Sequence, residues 1–339
     1  VVTLDLLAPT VLKAFEPGGP LEHVVLASLA PKMAAWRGWL YHVERLRRRG
    51  PFRLRDDAHI HPFDLLVRAP ARNSLTPRII PEEDVALLAP TGGTTASPKA
   101  VMLTHRNLVA NVQQALDLFI DDPGAFSNNQ KIMGILPMFH IFGLTCVMLF
   151  GIRQGLNQLL LPRFDPQEVI DLVRENRPVM FSGVPTMFMA LNSSGVDLLR
   201  NRFGEVRTYN SGGAALPVNL KRSFEEKTGR PLFEGYGLSE ASPVTHFNPP
   251  FTGAGREGSI GVPVPSTDAR IVDVETGERE MPVGEPGELI IKGPQVMKGY
   301  WKRPEETANQ FVGEYLRTGD VGIMDDEGFI FIVDRIKDL

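Results

Sequence analysis

Thr91, Gly92, Gly93, Thr94, Thr95, Ala96, Ser97, Pro98 and Lys99 run consecutively and follow the first strong apolar run of the chain. Hydroxyls, backbone N–H groups and one ammonium so closely spaced suit a polyphosphate. The loop is not a Walker-type phosphate loop, because Pro98 precedes Lys99 and Ala100 follows it, where that motif needs Gly and then Ser or Thr. Four more apolar runs end in glycine-, proline- or polar-rich loops, at 137–140, 182–185, 211–214 and 235–240. Ligands of open α/β sheets gather outside the carboxyl ends of the strands, so five such loops on one edge describe a site.

Short apolar runs alternating with helical patterns from Val85 onward predict a parallel α/β sheet, counted as five units. Leu108, Val112, Ala115, Leu116 and Phe119 keep the 3.6-residue period, with Thr104 as N-cap. Asp165, Pro166 and Glu168 open another helix as N-cap, N1 proline and N3 acid. A helix after Pro217 is expected to stop at Gly229. Beyond about Gly258 the helical pattern gives way to alternating segments such as 269–274 and to turn clusters such as 325–328, which predicts a small β-rich unit. The expected division is therefore 1–84 as the remainder of an N-terminal α/β subdomain, 85–257 as the α/β ligand-binding subdomain, 258–333 as the β-rich subdomain and 334–339 as a hinge.

A chain of 339 residues, 43% of them apolar, can bury a sizeable core. Its net charge of -4 gives no general reason to expect nucleic-acid binding. One cysteine, Cys146, excludes a disulfide framework and a cysteine zinc site, and its apolar neighbours read as core. The run 139–150 is broken by His140, Gly143 and Thr145 and is too short to span a bilayer. The chain opens on Val1 and stops directly after a strand-like segment, so it reads as a fragment from which a following domain is missing.

Taken in order, the threonine-rich loop, the run Tyr236, Gly237, Leu238, Ser239 and Glu240, the segment 315–320 and the segment 334–338 resemble the core motifs of the adenylate-forming enzymes. With Pro137, Met138, Phe139 and His140, and with the segment 293–301, their wording is most similar to bacterial long-chain fatty acid:CoA ligases. The resemblance is strong over about 85–339 and implies the large N-terminal domain of such an enzyme, with parallel sheets layered by helices and a distorted β-barrel subdomain. ATP, Mg²⁺, CoA and a fatty acid are the implied ligands.

Residue by residue, the resemblance implies that Thr91, Gly92, Gly93, Thr94, Thr95 and Lys99 hold the ATP phosphates and that Glu240, with Thr91 nearby, binds Mg²⁺. Tyr236 would lie against adenine with Gly212, Gly213 and Glu234 lining that pocket, Ala214, Gly235, Gly237 and Ser239 are further implied ATP contacts, Asp320 would take the ribose hydroxyls, and Arg335 would contact the nucleotide and stabilise phosphate charge. His140, Lys99 and Glu240 are the implied catalytic residues, with His140 beside the attacking carboxylate. Phe139, His140, Gly143, Leu144 and Gly213 are the implied acyl contacts, and Lys337 is the implied hinge. Phe142, Leu144, Met187, Phe188 and Met189 are apolar enough to line an acyl tunnel, or equally to be core. Ala96 and Ala100 stand where the family usually has glycine, which puts turnover rather than fold in question.

Residues 32–55 interleave Trp36, Trp39, Leu40 and Tyr41 with Arg37, Arg45, Arg47, Arg48, Arg49, Arg53 and Arg55. Such a segment is either a solvated basic helix or an amphipathic helix on an anionic membrane surface. The expected setting is the cytoplasm, with the inner membrane face as an option, and a homodimer stays open. The rival readings keep the first chemical step but change the acceptor or acid: an acyl-AMP ligase, transfer to a carrier-protein thiol, or a coumarate-type or luciferase-like substrate. A non-catalytic ATP- or acyl-binding protein is the rival from another class, made plausible by Ala96, Ala100 and an expected missing domain that would hold the adenylation lysine.

Overall fold

The computed structural model describes residues 1–5, 7–13, 21–33, 35–49, 59–68, 77–91, 99–119, 126–249 and 255–336. They fall into two compact units, Val1–Arg78 and Ile79–Leu339, where the sequence had placed the boundary at 84/85.

The first unit is a parallel three-stranded sheet of β1 (Val2–Leu4), β2 (Val24–Ala27) and β3 (Ile60–Pro62), with α1 (Ala8–Lys13), α2 (Ala35–Arg49) and α3 (Phe63–Arg68). Ala8, Val24 and Leu26 form its small core. The basic aromatic segment does form a helix, α2, on which Trp36, Trp39, Leu40, Val43 and Leu46 are exposed. The side chains of Arg37, Arg45, Arg48 and Arg49, and residues 50–55, lie outside the described part.

The second unit opens with β4 (Val85–Pro90) and β5 (Ala100–Thr104), then α4 (His105–Asp117) and β6 (Lys131–Gly134). Thr104 caps α4 by accepting from the Asn107 N–H while the Asn107 side chain accepts from the Thr104 N–H, satisfying two donors that a helix start leaves unpaired. A continuous helical run follows: α5 (Ile141–Gly143), a π-helical stretch over Leu144–Leu149, and α6 (Phe150–Arg153). Next come β7 (Asn157–Leu160), α7 (Pro166–Asn176), β8 (Met180–Gly183), α8 (Pro185–Asn192), β9 (Thr208–Ser211), α9 (Val218–Thr228), β10 (Leu232–Gly237), β11 (Val244–Phe247) and β12 (Val262–Pro263). Asp165 caps α7 through the Glu168 N–H, and Gly229 ends α9 in the left-handed conformation, both as the sequence predicts.

These strands make a seven-stranded sheet in the order β12-β11-β10-β9-β8-β6-β7, parallel from β7 to β10, with β11 and β12 antiparallel at one edge. One face carries an aromatic core of Phe181, Phe188, Phe203, Tyr209 and Phe224, which α7, α8 and α9 help to enclose. The other face meets a second cluster containing Ala115, Val147 and Phe150. Along α4, the buried amides of Asn107, Asn111 and Gln114 bond to Pro294, Val296, Val244, Pro265 and Gln295, joining distant segments without leaving polar groups unpaired.

The β-rich part contains β13 (Asp268–Val272), β14 (Gly287–Lys292), β15 (Gly299–Tyr300), α10 (Pro304–Asn309), β16 (Phe311–Val312), β17 (Tyr315–Met324) and β18 (Ile330–Arg335). Five of its strands form a curled antiparallel sheet, β13-β14-β17-β16 with β18 on β17. One expectation is corrected here: β4 does not belong to the parallel sheet. It pairs antiparallel with β5, and β15 completes that small sheet. The threonine-rich loop therefore connects a hairpin. Four of the five loops, not five, sit at ends of the large sheet's parallel strands.

Candidate functional site

β17 and β18 pair so that Asp320 lies opposite Arg335. The Asp320 carboxylate accepts from Arg335 Nε at 2.9 Å through one oxygen and from the Tyr236 hydroxyl at 2.5 Å through the other. Tyr236 comes from β10, so a direct chain of hydrogen bonds joins three motifs that are far apart in sequence. Burial first, and then the Asp320 charge, raise the Tyr236 phenol well above its usual range, so it stays a hydroxyl donor. The ring of buried His246 meets Tyr236 edge to face at 5.9 Å. Burial pushes that imidazole down to about 3, which keeps it neutral.

Tyr236 follows two residues after Glu234, a carboxyl buried to 9% exposure whose Oε1 accepts from the Leu216 N–H at 2.9 Å. Burial raises Glu234 to about 7, against the lowering effects of that hydrogen bond and of Lys221. Glu234 thus pins the far end of the loop carrying Gly212, Gly213 and Ala214. Gly237 is required by close approach: a Cβ there would lie 2.1 Å from the Pro243 carbonyl oxygen.

Glu240 accepts from the Tyr300 hydroxyl at 2.8 Å, and Lys99 Nζ lies 4.7 Å from the centroid of the same ring. One buried aromatic side chain therefore touches both the expected metal-binding carboxylate and the expected phosphate-binding ammonium. Thr91 donates its N–H to the Lys99 carbonyl at 2.9 Å, closing the base of the hairpin loop. Gly92, Gly93, Thr94, Thr95 and Ala96, the heart of the expected phosphate loop, lie outside the described residues, as does Lys337, the expected hinge. Ala100 begins β5 opposite Pro90, an extended position where an L-residue sits without strain.

A hard divalent cation suits this donor set. Among the described residues no cluster of three or more His, Cys, Asp or Glu side chains could hold a metal by itself. A single carboxylate, with a hydroxyl and nucleotide phosphates, is how magnesium is commonly held, and Glu240 and Thr91 match that chemistry.

Beside the Tyr236–Asp320–Arg335 chain opens a cavity of about 250 Å³. His140, Gly212, Gly213, Gly235, Tyr236, Gly237, Ser239 and Arg335 line it, together with an apolar wall of Ala115, Leu118, Phe119, Phe142, Cys146, Phe150 and Met180. Burial pushes the Cys146 thiol up to about 12, so it is an inert part of that wall. His140 caps α5, accepting the Phe142 N–H on Nδ1 at 3.2 Å. A ring whose Nδ1 accepts carries its proton on Nε2 when neutral, which leaves an N–H donor.

Three of the expected acyl contacts do not reach this cavity. Phe139 is 87% exposed. Gly143 is held against the chain, since a Cβ there would be 2.4 Å from the Pro137 carbonyl oxygen. Leu144 packs into the core shared with the antiparallel sheets. Of the five proposed tunnel residues only Phe142 lines the cavity: Phe188 is fully buried in the aromatic core, Met187 packs between two clusters and Met189 is 49% exposed. Cys146 and Phe150 were missed as wall residues although they follow Phe142 at intervals of four, a helical spacing present in the sequence. Asn210 was missed as well, while Ser182 and Ser211 belong to the strand-end loops that the sequence places at the site.

Comparison with known proteins gives the same setting. A family model described as AMP-binding enzyme matches residues 31–301. The chain is 43% identical over its whole length to a long-chain-fatty-acid–CoA ligase of Bacillus subtilis and 36% identical over 94% of its length to one of Escherichia coli. It spans 59% and 56% of those two relatives. Among solved structures, ATP-bound MatB from Rhodopseudomonas palustris superposes with a TM-score of 0.76 at 29% identity, covering 94% of this chain and 60% of that one. A long-chain-fatty-acid-CoA ligase from Archaeoglobus fulgidus gives 0.70 at 26%, covering 93% and 62%.

Proposed function

This chain belongs to the family of AMP-binding enzymes, and from that premise we propose that it binds ATP with magnesium and serves a long-chain fatty acid:CoA ligase. In that reaction a carboxylate oxygen attacks the α-phosphorus, the bond to pyrophosphate breaks, and acyl-AMP forms. The CoA sulfur then attacks the acyl carbon, and AMP leaves as the C–S bond is made.

The observation that carries the reading is the Tyr236–Asp320–Arg335 chain at the rim of a largely apolar cavity. A polar, charge-bearing rim suits a nucleotide, and the apolar wall suits an acyl group. The Tyr236 ring offers an aromatic face to adenine. Asp320 spends one acceptor site per oxygen on Tyr236 and Arg335, and a carboxylate has about four, so it can still accept from ribose hydroxyls. The Arg335 guanidinium, fixed by Asp320, brings positive charge to the phosphates. His140, at the cavity edge, supplies an Nε2–H donor to the carboxylate. Glu240 and Thr91 would hold magnesium, which when bound neutralises charge on the phosphates.

Two further lines support the fatty-acid and CoA parts: the apolar wall, and the two ligase-named relatives. The test is ATP–pyrophosphate exchange by the full-length protein over a panel of acids, repeated with Glu240→Ala. Exchange with long-chain acids, abolished in the variant, is the expected result. Near-normal exchange by Glu240→Ala would remove Glu240 from the metal site. Exchange without acyl-CoA formation when CoA is present would shift the reading to an acyl-AMP ligase.

A further inference from the structure

The acyl cavity is not uniformly apolar. Tyr209 on β9 points into the aromatic core, so its neighbour Asn210 faces the opposite side of the sheet, where it lines the cavity. Ser182 on β8 pairs in register with Asn210 and lines the same cavity. Both are buried, at 0% and 6% exposure. Asn210 Nδ2 donates to Ser182 Oγ at 3.4 Å, while Asn210 Oδ1 has no hydrogen-bond partner. An amide oxygen left unpaired in an apolar setting is costly, and a simple hydrocarbon against it would keep the cost unpaid.

We propose that Ser182 and Asn210 form a polar subsite in the acyl cavity, and that the acid taken by this protein carries a hydroxyl near its carboxyl end. The proposal rests on the adenylation reading above. A hydroxyl fits because it both donates and accepts, so it satisfies the pair whichever way the Asn210 amide is turned. Its place along the acyl chain follows from the strand: Asn210 lies two residues before Gly212, roughly 7 Å along β9 from the glycines of the polar rim. That distance reaches the first few carbons and not the far end of a long chain. Phe119, Phe142, Cys146 and Phe150 then take the hydrocarbon remainder.

The test compares ATP–pyrophosphate exchange by the full-length protein with decanoate, 2-hydroxydecanoate and 3-hydroxydecanoate, in the wild type, Asn210→Leu and Ser182→Ala. The expected result is a preference of about tenfold or more in kcat/KM for one hydroxy acid over decanoate, since a site built to bond a hydroxyl disfavours the analogue lacking it. Asn210→Leu should bring that ratio to about one or below, and Ser182→Ala should reduce it. Equal activation of all three acids by the wild type would mean that an ordered water fills the subsite, and would overturn the proposal while leaving the adenylation reading in place. A preference unchanged in both variants would overturn it too. ATP binding with no activation of the three acids would overturn the hydroxyl proposal, and the adenylation reading falls with it only when hexadecanoate, run alongside, is not activated either.

Discussion

Replacing Glu234 by Gln should stabilise the protein at alkaline pH and change its stability by less than about 1 kcal/mol at pH 5. The carboxyl is 9% exposed, and burial lifts it from an ordinary 4.5 to about 7. Between those two values the folded chain holds a proton that the unfolded chain releases, so the folded state binds more protons and stability falls as pH rises. The contribution is complete below pH 4.5 and is lost as pH climbs through 7. The rise from 4.5 to about 7, at about 1.4 kcal/mol per tenfold change in proton affinity, amounts to about 3.5 kcal/mol as an upper figure. Gln stays neutral throughout, and its amide oxygen can still accept the Leu216 N–H that Glu234 holds at 2.9 Å. Paired urea unfolding of wild type and Glu234→Gln at pH 5 and pH 8.5 cancels the other titrating groups, including buried His246. The variant should exceed the wild type by less than about 1 kcal/mol at pH 5 and by about 2–3 kcal/mol at pH 8.5. A difference of the same size at both pH values, or a wild-type advantage at pH 8.5, would refute the argument.

Tyr300→Phe removes the hydroxyl that holds Glu240 but keeps the ring under Lys99, so Mg²⁺-dependent ATP binding should weaken about 10- to 100-fold, as seen when the outer partner of a metal ligand is lost. Tyr300→Leu also removes the ring and should weaken magnesium-free ATP binding as well; calorimetric titrations with and without Mg²⁺ separate the two, and equal losses in both variants would contradict the assignment. Gly237→Ala places a Cβ 2.1 Å from the Pro243 carbonyl oxygen, and the displaced backbone should cost about 3 kcal/mol or more in urea unfolding. An unchanged midpoint would show that the turn relaxes freely.

What the sequence made legible was local or carried by motif order. Thr104 with Asn107, Asp165 with Pro166, and Gly229 mark helix ends through bonds formed within a few residues, and such bonds are encoded where they act. Asp320, Arg335 and Tyr236 are brought together by pairing across β17 and β18 and by β10, and only resemblance, not spacing, could have joined them. The hairpin of β4 and β5 escaped for a related reason: an apolar run declares a strand but not the direction of its partner.

The acyl wall shows the limit most sharply. Motif reading takes residues close in sequence, Phe139, His140, Gly143 and Leu144, whereas a helical wall offers one face, here Phe142, Cys146 and Phe150. These three residues recur every four positions, and the π-helical stretch Leu144–Leu149 lies within this wall. Asn210 poses the same problem in a strand. Alternation puts Tyr209 and Asn210 on opposite faces, but which face is the aromatic core and which the cavity depends on α4 and on the helical run over residues 141–153, packed against the sheet from elsewhere in the chain. A polar residue such as Asn210 is ambiguous until that face is known; once it is known, its unpaired oxygen points to a polar partner inside the cavity.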